Sequence, residues 1–160
     1  MRSHDQLRTP ARAIEDVSVD QVMHAGFVGC PLETPLTEVA RLMAEHRVHC
    51  IVGFGDLAED DTCLWGVVSD LDLVSALASG ASGATSAGEI ATTEVATVRP
   101  HDSLSHAAQI MSNHEITHVL VLAHRSDKPV GVVSTLDIAA YIAGVPLTAT
   151  LNDADEPPPE

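Results

Sequence analysis

The heptapeptide GVVSDLD at residues 66–72 returns as GVVSTLD at 131–137, with a single change. Its surroundings return as well. Leu36, Ala40, Met43 and His46 recur as Leu104, Ala108, Met111 and His114 at a constant offset of 68, which falls to 65 at the heptapeptide. The slippage lies in the polar run Gly55 to Thr62, where extra loop residues cost least. A duplicated unit of about 60 residues thus accounts for nearly the whole chain. Two like halves that pack on each other leave paired clefts between them.

Each half predicts the same order of elements, β-α-β-β-α. A short strand (Phe27 to Cys30; Val95 to Val98) leads into a helix. Thr34 and Asp102 are the expected N-caps, with Pro35 at the first helical position, where its missing N–H costs nothing. Apolar residues follow at helical spacing: Leu36, Val39, Ala40, Met43, and Leu104, Ala107, Ala108, Met111. The β-rich runs Cys50 to Val52 and His118 to Leu122 pair with Leu64 to Val68 and Val130 to Val133 as hairpins. A second helix starts at Ser69 or Ser134 and runs to about Leu77 or Ile142. The expected fold class is therefore α/β (α+β), built of two repeats about a pseudo-twofold axis. Residues 1–14 read as a flexible arm, 15–80 as the first repeat and 81–88 as a small-residue linker. The second repeat is 89–145, and 146–160 is a disordered, acidic, proline-rich tail.

Charge and cysteine usage narrow the function classes. A formal charge of −15 with only eight basic residues among 160 argues against nucleic acid, since phosphate contacts need clustered Lys and Arg. No apolar run approaches the ~20 residues of a membrane span, and MRSHDQLRTPAR has no apolar signal core. Three cysteines, Cys30, Cys50 and Cys63, form an odd count without CxxC spacing, as expected for reduced thiols in a cytoplasmic protein. There is no GxSxG, no Walker-type loop and no Cys with an evident His partner, so no enzymatic activity is expected.

The repeated heptapeptide places Ser at the end of a strand and Asp three residues on, just inside a helix. As pure structure this is a capping box, with the two side chains satisfying orphan N–H groups. The glycine before the Val-Val pair exceeds what a cap needs and permits close approach of a ligand or a neighbouring strand.

GVVSDLD and GVVSTLD, each after a strand–helix–strand unit, resemble the Gly-h-x-Ser/Thr-x-x-Asp signature of cystathionine-β-synthase-type (CBS) domains. The resemblance covers about Val17 to Gly144. It implies a tandem pair forming one module, with adenine nucleotides or related adenosyl compounds (AMP, ADP, ATP) as regulatory ligands and no required cofactor. On this resemblance Asp72 and Asp137 accept ribose hydroxyls, and Ser69 and Ser134 donate to phosphate. The adenine lies near Phe27 to Cys30 or Val95 to Val98, with Cys30 and Val98 as candidate contacts. Helix starts favour anions, whereas a carboxylate suits a neutral diol. Asp70 should weaken an anionic ligand and Thr135 could donate to one. Arg99, His101, Arg125 and Lys128 also favour the second repeat, so the Ser134/Thr135/Asp137 site is expected to be the better one. The resemblance further implies a homodimer through amphipathic helices and an unidentified protein partner that responds to the ligand.

Two other readings stand beside the sensor. One is a constitutive interaction scaffold with empty clefts. The other is a metal protein, suggested by nine histidines and by HEITH at 114–118, formally the HExxH of zinc proteases. That chemistry needs both His on one helical face. The helix is expected to end near His114, with His118 entering a strand, which would separate the two imidazoles.

Overall fold

The computed structural model describes residues 13–57 and 61–145, so the expected tail and all of the expected arm except Ala13 and Ile14 lie outside the described residues. Two 3-10 turns, Ile14–Asp16 and Val19–Gln21, precede strand β1 (His24–Ala25). The first repeat follows as β2 (Gly29–Pro31), α1 (Leu36–His46), β3 (Cys50–Leu57), β4 (Asp61–Ser69) and α2 (Asp70–Ala78). A short helix α3 (Ala87–Ile90) opens the second half. It continues as β5 (Thr97–Val98), α4 (Leu104–His114), β6 (His118–Leu122), β7 (Pro129–Ser134) and α5 (Thr135–Ala143). The β-α-β-β-α order expected of each half is present twice.

The duplication extends to local detail. Helices α1 and α4 are both 11 residues long, burying Leu36, Val39 and Met43, and Leu104, Ala107 and Met111. Both stop at a non-glycine residue in the left-handed region, Arg47 and Glu115, each at φ 52°. That conformation costs roughly 1–2 kcal/mol and is held because the chain must turn at once into β3 or β6.

The caps differ from expectation. Pro35 and Ser103, not Thr34 and Asp102, occupy the N-cap positions. Ser103 Oγ accepts from His106 N at 3.1 Å, while Asp102 Oδ2 accepts from Arg99 N at 2.7 Å and braces the preceding turn. The N–H of Leu36 goes to Thr85 O at 2.8 Å, and that of Leu104 to Val17 O at 2.7 Å. Each long helix is thus capped by backbone from the segment that leads into the other repeat.

These leading segments are what the sequence left out of the core. Strand β1, from the first half, pairs antiparallel with β7 of the second, giving the order β1-β7-β6-β5; the first repeat's sheet is β2-β3-β4. Val17, Val19 and Val22 are fully buried in the second repeat's core beside Val98, Leu104 and Val133. Reciprocally, Ala87 is buried in the first repeat's core with Cys30, Val39 and Ile51, and Thr92 bridges Val67. The run 81–88, expected as a flexible linker, is therefore structural where it meets α1 and the first core. Its small residues reflect tight packing as well as freedom. Fully burying each valine is worth about 1.5–3 kcal/mol, which fastens the two repeats together. A third cluster, Val52, Leu120 and Leu122 with Phe54, Leu64, Val95 and Val132, joins the two sheets.

Candidate ligand-binding site

The two Ser–Asp pairs sit where β4 passes into α2 and where β7 passes into α5. Both are complete capping boxes. Ser69 N and Ser69 Oγ each donate to Asp72 Oδ2 at 2.8 Å, and Asp72 N returns a bond to Ser69 Oγ at 3.1 Å. In the second repeat Ser134 N and Oγ donate to Asp137 Oδ2 at 2.7 and 2.9 Å, with Asp137 N to Ser134 Oγ at 3.2 Å. The serine protons expected to serve a phosphate are committed to the aspartates. A ligand would have to break the box to use them.

Beyond the box the two sites part company. Asp137 is 2% exposed, and its Oδ1 meets His24 Nε2 at 2.6 Å. His24 arrives on β1, whose register sets it opposite Val132. The hydrogen bond to Asp137 raises the His24 pKa; partial burial opposes this, and the aspartate's charge adds to the rise. Asp72 is half-buried, and its Oδ1 has no hydrogen-bond partner among the described residues.

The helix starts are unequal in the opposite sense. Asp70 Oδ1 takes the Leu71 N–H at 2.8 Å, Asp70 N goes to His49 O, and Asp70 Oδ2 meets His49 Nδ1 at 2.8 Å. Burial alone would raise the Asp70 pKa, but the bonds from His49 and Leu71 outweigh it and hold the carboxyl below its usual value. In α5, Thr135 N is spent on Thr117 O, while Leu136 N has no partner among the described residues. The first motif thus offers an open carboxylate oxygen on Asp72 beside a second carboxylate, Asp70. The second offers a free helix N–H beside an aspartate already engaged.

Several expected contacts are placed elsewhere. Cys30 and Val98 are 5% and 3% exposed and belong to the two cores, so neither side chain lines a cleft. Strand parity is the reason: β2 and β5 alternate, leaving Gly29, Pro31 and Thr97 outward. Arg99 does not serve the second motif either. Its guanidinium is bound to the carbonyls of Ala123 and Ser126 and to Asp127 Oδ1 at 3.0 Å.

His49 and His118 face each other across the repeats with ring centroids 6.2 Å apart. Burial lowers the His118 pKa; Asp70 partly offsets this, and His49 adds to the lowering. Cys50, at the start of β3, is pushed up to about 11 by burial and by Asp70, so it is a thiol and no nucleophile at neutral pH. His114 closes α4 and His118 opens β6, with the left-handed Glu115 between, so HEITH does not share one helical face. No group of three or more His, Cys, Asp or Glu is arranged to hold a metal ion among the described residues.

The surface grooves lie beside the motifs. One of about 250 Å³ is lined by Met111, Ile116, Thr135 and Ile138; another of about 370 Å³ by Leu32, Glu33, Trp65 and Glu89. Of the motif residues only Thr135 reaches either.

Comparison with known proteins decides the family, because CBS domain sequences match residues 19–79 and 87–144, one repeat each. The chain belongs to the CBS domain family. The CBS domain-containing protein YhcV of Bacillus subtilis is 30% identical over 105 residues, 65% of this chain and 70% of the relative. CBS protein PAE2072 of Pyrobaculum aerophilum, solved in complex with AMP, is 27% identical with a TM-score of 0.69, covering 81% of this chain and all of that one. The CBS domain pair of protein MJ0100, solved with 5′-methylthioadenosine and S-adenosyl-L-methionine, has a TM-score of 0.70 at 22% identity and shares the fold. It covers 80% of this chain and 97% of its own. No described helix of this CBS pair is long and apolar enough to cross a membrane.

Proposed function

We propose that this CBS pair is a regulatory module, not an enzyme, that binds an adenosyl ligand between its repeats and reports it to a protein partner. The observation that carries this reading is the Ser–Asp box standing at the same strand–helix junction in both halves. The AMP complex of PAE2072 supports the ligand class. Ligand binding would act by favouring one arrangement of the two repeats over another.

The two sites differ in what they suit. The first, with Asp72 Oδ1 free and Asp70 filling the helix start, suits an adenosyl group whose 5′ substituent is neutral or cationic. The second, with Leu136 N–H open and Thr135 as a donor, suits a 5′-phosphate once Asp137 is released. Expected from charge alone to be the better site, the second is here the more closed. The first is proposed to bind first.

Thermal shift and calorimetry with adenosine, AMP, ATP, 5′-methylthioadenosine and S-adenosylmethionine test the reading. A ligand at 100 times its Kd stabilises by about 2.7 kcal/mol. Asp72→Ala is expected to weaken binding of the uncharged or cationic compounds at least tenfold. No stabilisation by any of the five would favour the scaffold reading. That alternative draws on one observation: the serine protons and Asp137 are satisfied internally.

A homodimer through α2 and α5 belongs to the same proposal. Leu71, Val74 and Leu77 on α2 and Leu136 and Ile142 on α5 are between 48% and 68% exposed, and α2 buries none of its residues. Apolar faces of this kind on both repeats fit a second copy of the chain. Light scattering should give a dimer mass that Leu71→Asp with Leu136→Asp halves. An unchanged mass would place the interface elsewhere.

A further inference from the structure

His24 comes from the leading segment of the first repeat and ends on the one carboxylate that the second site needs. Its side chain is 36% exposed while that of Asp137 is 3% exposed, so the imidazole is the solvent-facing member of the pair over an almost wholly buried carboxylate. Its one side-chain hydrogen bond among the described residues is to Asp137, and it is not part of the second repeat's core cluster. The strand that carries it is only two residues long and is followed by Gly26 at φ 85°, a position that favours glycine. The equivalent position in the other half is Thr92, which bridges Val67 as His24 pairs with Val132. No side-chain bond joins Thr92 to Asp72 among the described residues.

We propose that His24 is a gate on the second cleft, holding Asp137 Oδ1 in place of a nucleoside hydroxyl until a ligand displaces it. The proposal rests on the adenosyl reading above and makes occupancy of the second cleft conditional where that of the first is not. A ribose hydroxyl and the imidazole N–H are both donors, and they compete for the same oxygen. Gating therefore lowers the affinity of the second cleft.

The gate is also sensitive to protons. Asp137 on α5 is the charged group facing His24, and His118 at the start of β6 senses the same carboxylate; β7 presents only Gly131 and Val132 to β1. Because Asp137 raises the pKa of the latched imidazole, His24 keeps its proton to a higher pH when latched than when freed. Opening the gate between those two pKa values releases a proton, so affinity at the second cleft rises with pH from about 6.5 upward and then levels.

Adenosine is the probe, since it carries no phosphate to retitrate the histidine. On an Asp72→Ala background, which leaves only the second cleft, His24→Ala is expected to tighten adenosine binding about tenfold and to flatten its dependence on pH between 6 and 8. Unchanged or weaker binding in His24→Ala would overturn the gate, the weaker case making His24 a ligand contact instead. A second readout needs neither ligand nor variant: NMR titration of the His24 ring in the wild-type chain should show a pKa above the ordinary value. An ordinary value overturns the latch itself. If that pKa is raised but adenosine binds neither protein, the adenosyl reading fails and the pair is a stability element with nothing to gate.

Discussion

Replacing Asp137 by alanine is expected to cost the fold about 3 kcal/mol, against about 1 kcal/mol for Asp72→Ala. The two residues are copies in sequence, and the difference lies in what each one satisfies. Asp72 closes a half-buried capping box, and losing such a box costs on the order of 1 kcal/mol. Asp137 closes the same box at 2% exposure and takes a third donor, His24. Its removal strands Ser134 N, Ser134 Oγ and the imidazole, and buried donors left unpaired cost roughly 1–3 kcal/mol each, less where water can reach them. For a chain of 160 residues, a loss of about 3 kcal/mol lowers Tm by roughly 6–12 °C. Urea denaturation of both variants checks this. Equal losses would mean that burial of Asp137 contributes nothing beyond the box.

The same contact gives stability a pH dependence of known sign. His24 has a folded-state pKa above that of the unfolded chain, so folding takes up a proton between the two. Its contribution is complete below about 6.5 and is lost as pH rises through the raised value. The stability gap between wild type and His24→Ala should therefore narrow as pH rises toward 8.

How much of this was legible beforehand follows from which interactions are local. The helical stripe Leu36, Val39, Met43 and the Ser69–Asp72 box are i, i+3 and i, i+7 relations, so a single stretch of sequence displays them. The pairing of β1 with β7 joins residues more than a hundred positions apart. Nothing within MHAGF marks His24 as belonging to the second repeat. The side chains of Cys30 and Val98, expected toward a cleft, lie in the cores for a different reason. A two- or three-residue strand has too little alternation to fix its parity, and a one-residue error exchanges core for cleft. The ranking of the sites weighed Asp70 against Thr135 by charge, as a helix start allows. It could not see that His49 binds the Asp70 carboxylate or that His24 covers Asp137, two residues beyond Thr135.

The repeated glycine of the heptapeptide carries the second large effect. Gly66 and Gly131 are where the leading segments cross the hairpins, and a Cβ at either would sit 2.6 Å from a backbone carbonyl, that of Thr92 or of His24. Neither oxygen can move without shifting its strand. Of the two uses a glycine there permits, the structure occupies the close approach of a neighbouring strand. Gly131→Ala is expected to cost about 2–3 kcal/mol, as for overpacking against an unyielding neighbour. At Gly131 the damage should spread, because Ala25 pairs with it and the adjacent His24 would be carried off Asp137. The two changes should then be non-additive: in a His24→Ala background the cost of Gly131→Ala falls by the share that ran through the latch. Gly66→Ala has no such partner and should cost the same with or without His24. A double-mutant cycle measured in urea decides the point. Strict additivity at Gly131 would show that strand β1 keeps its place without help from the His24–Asp137 contact.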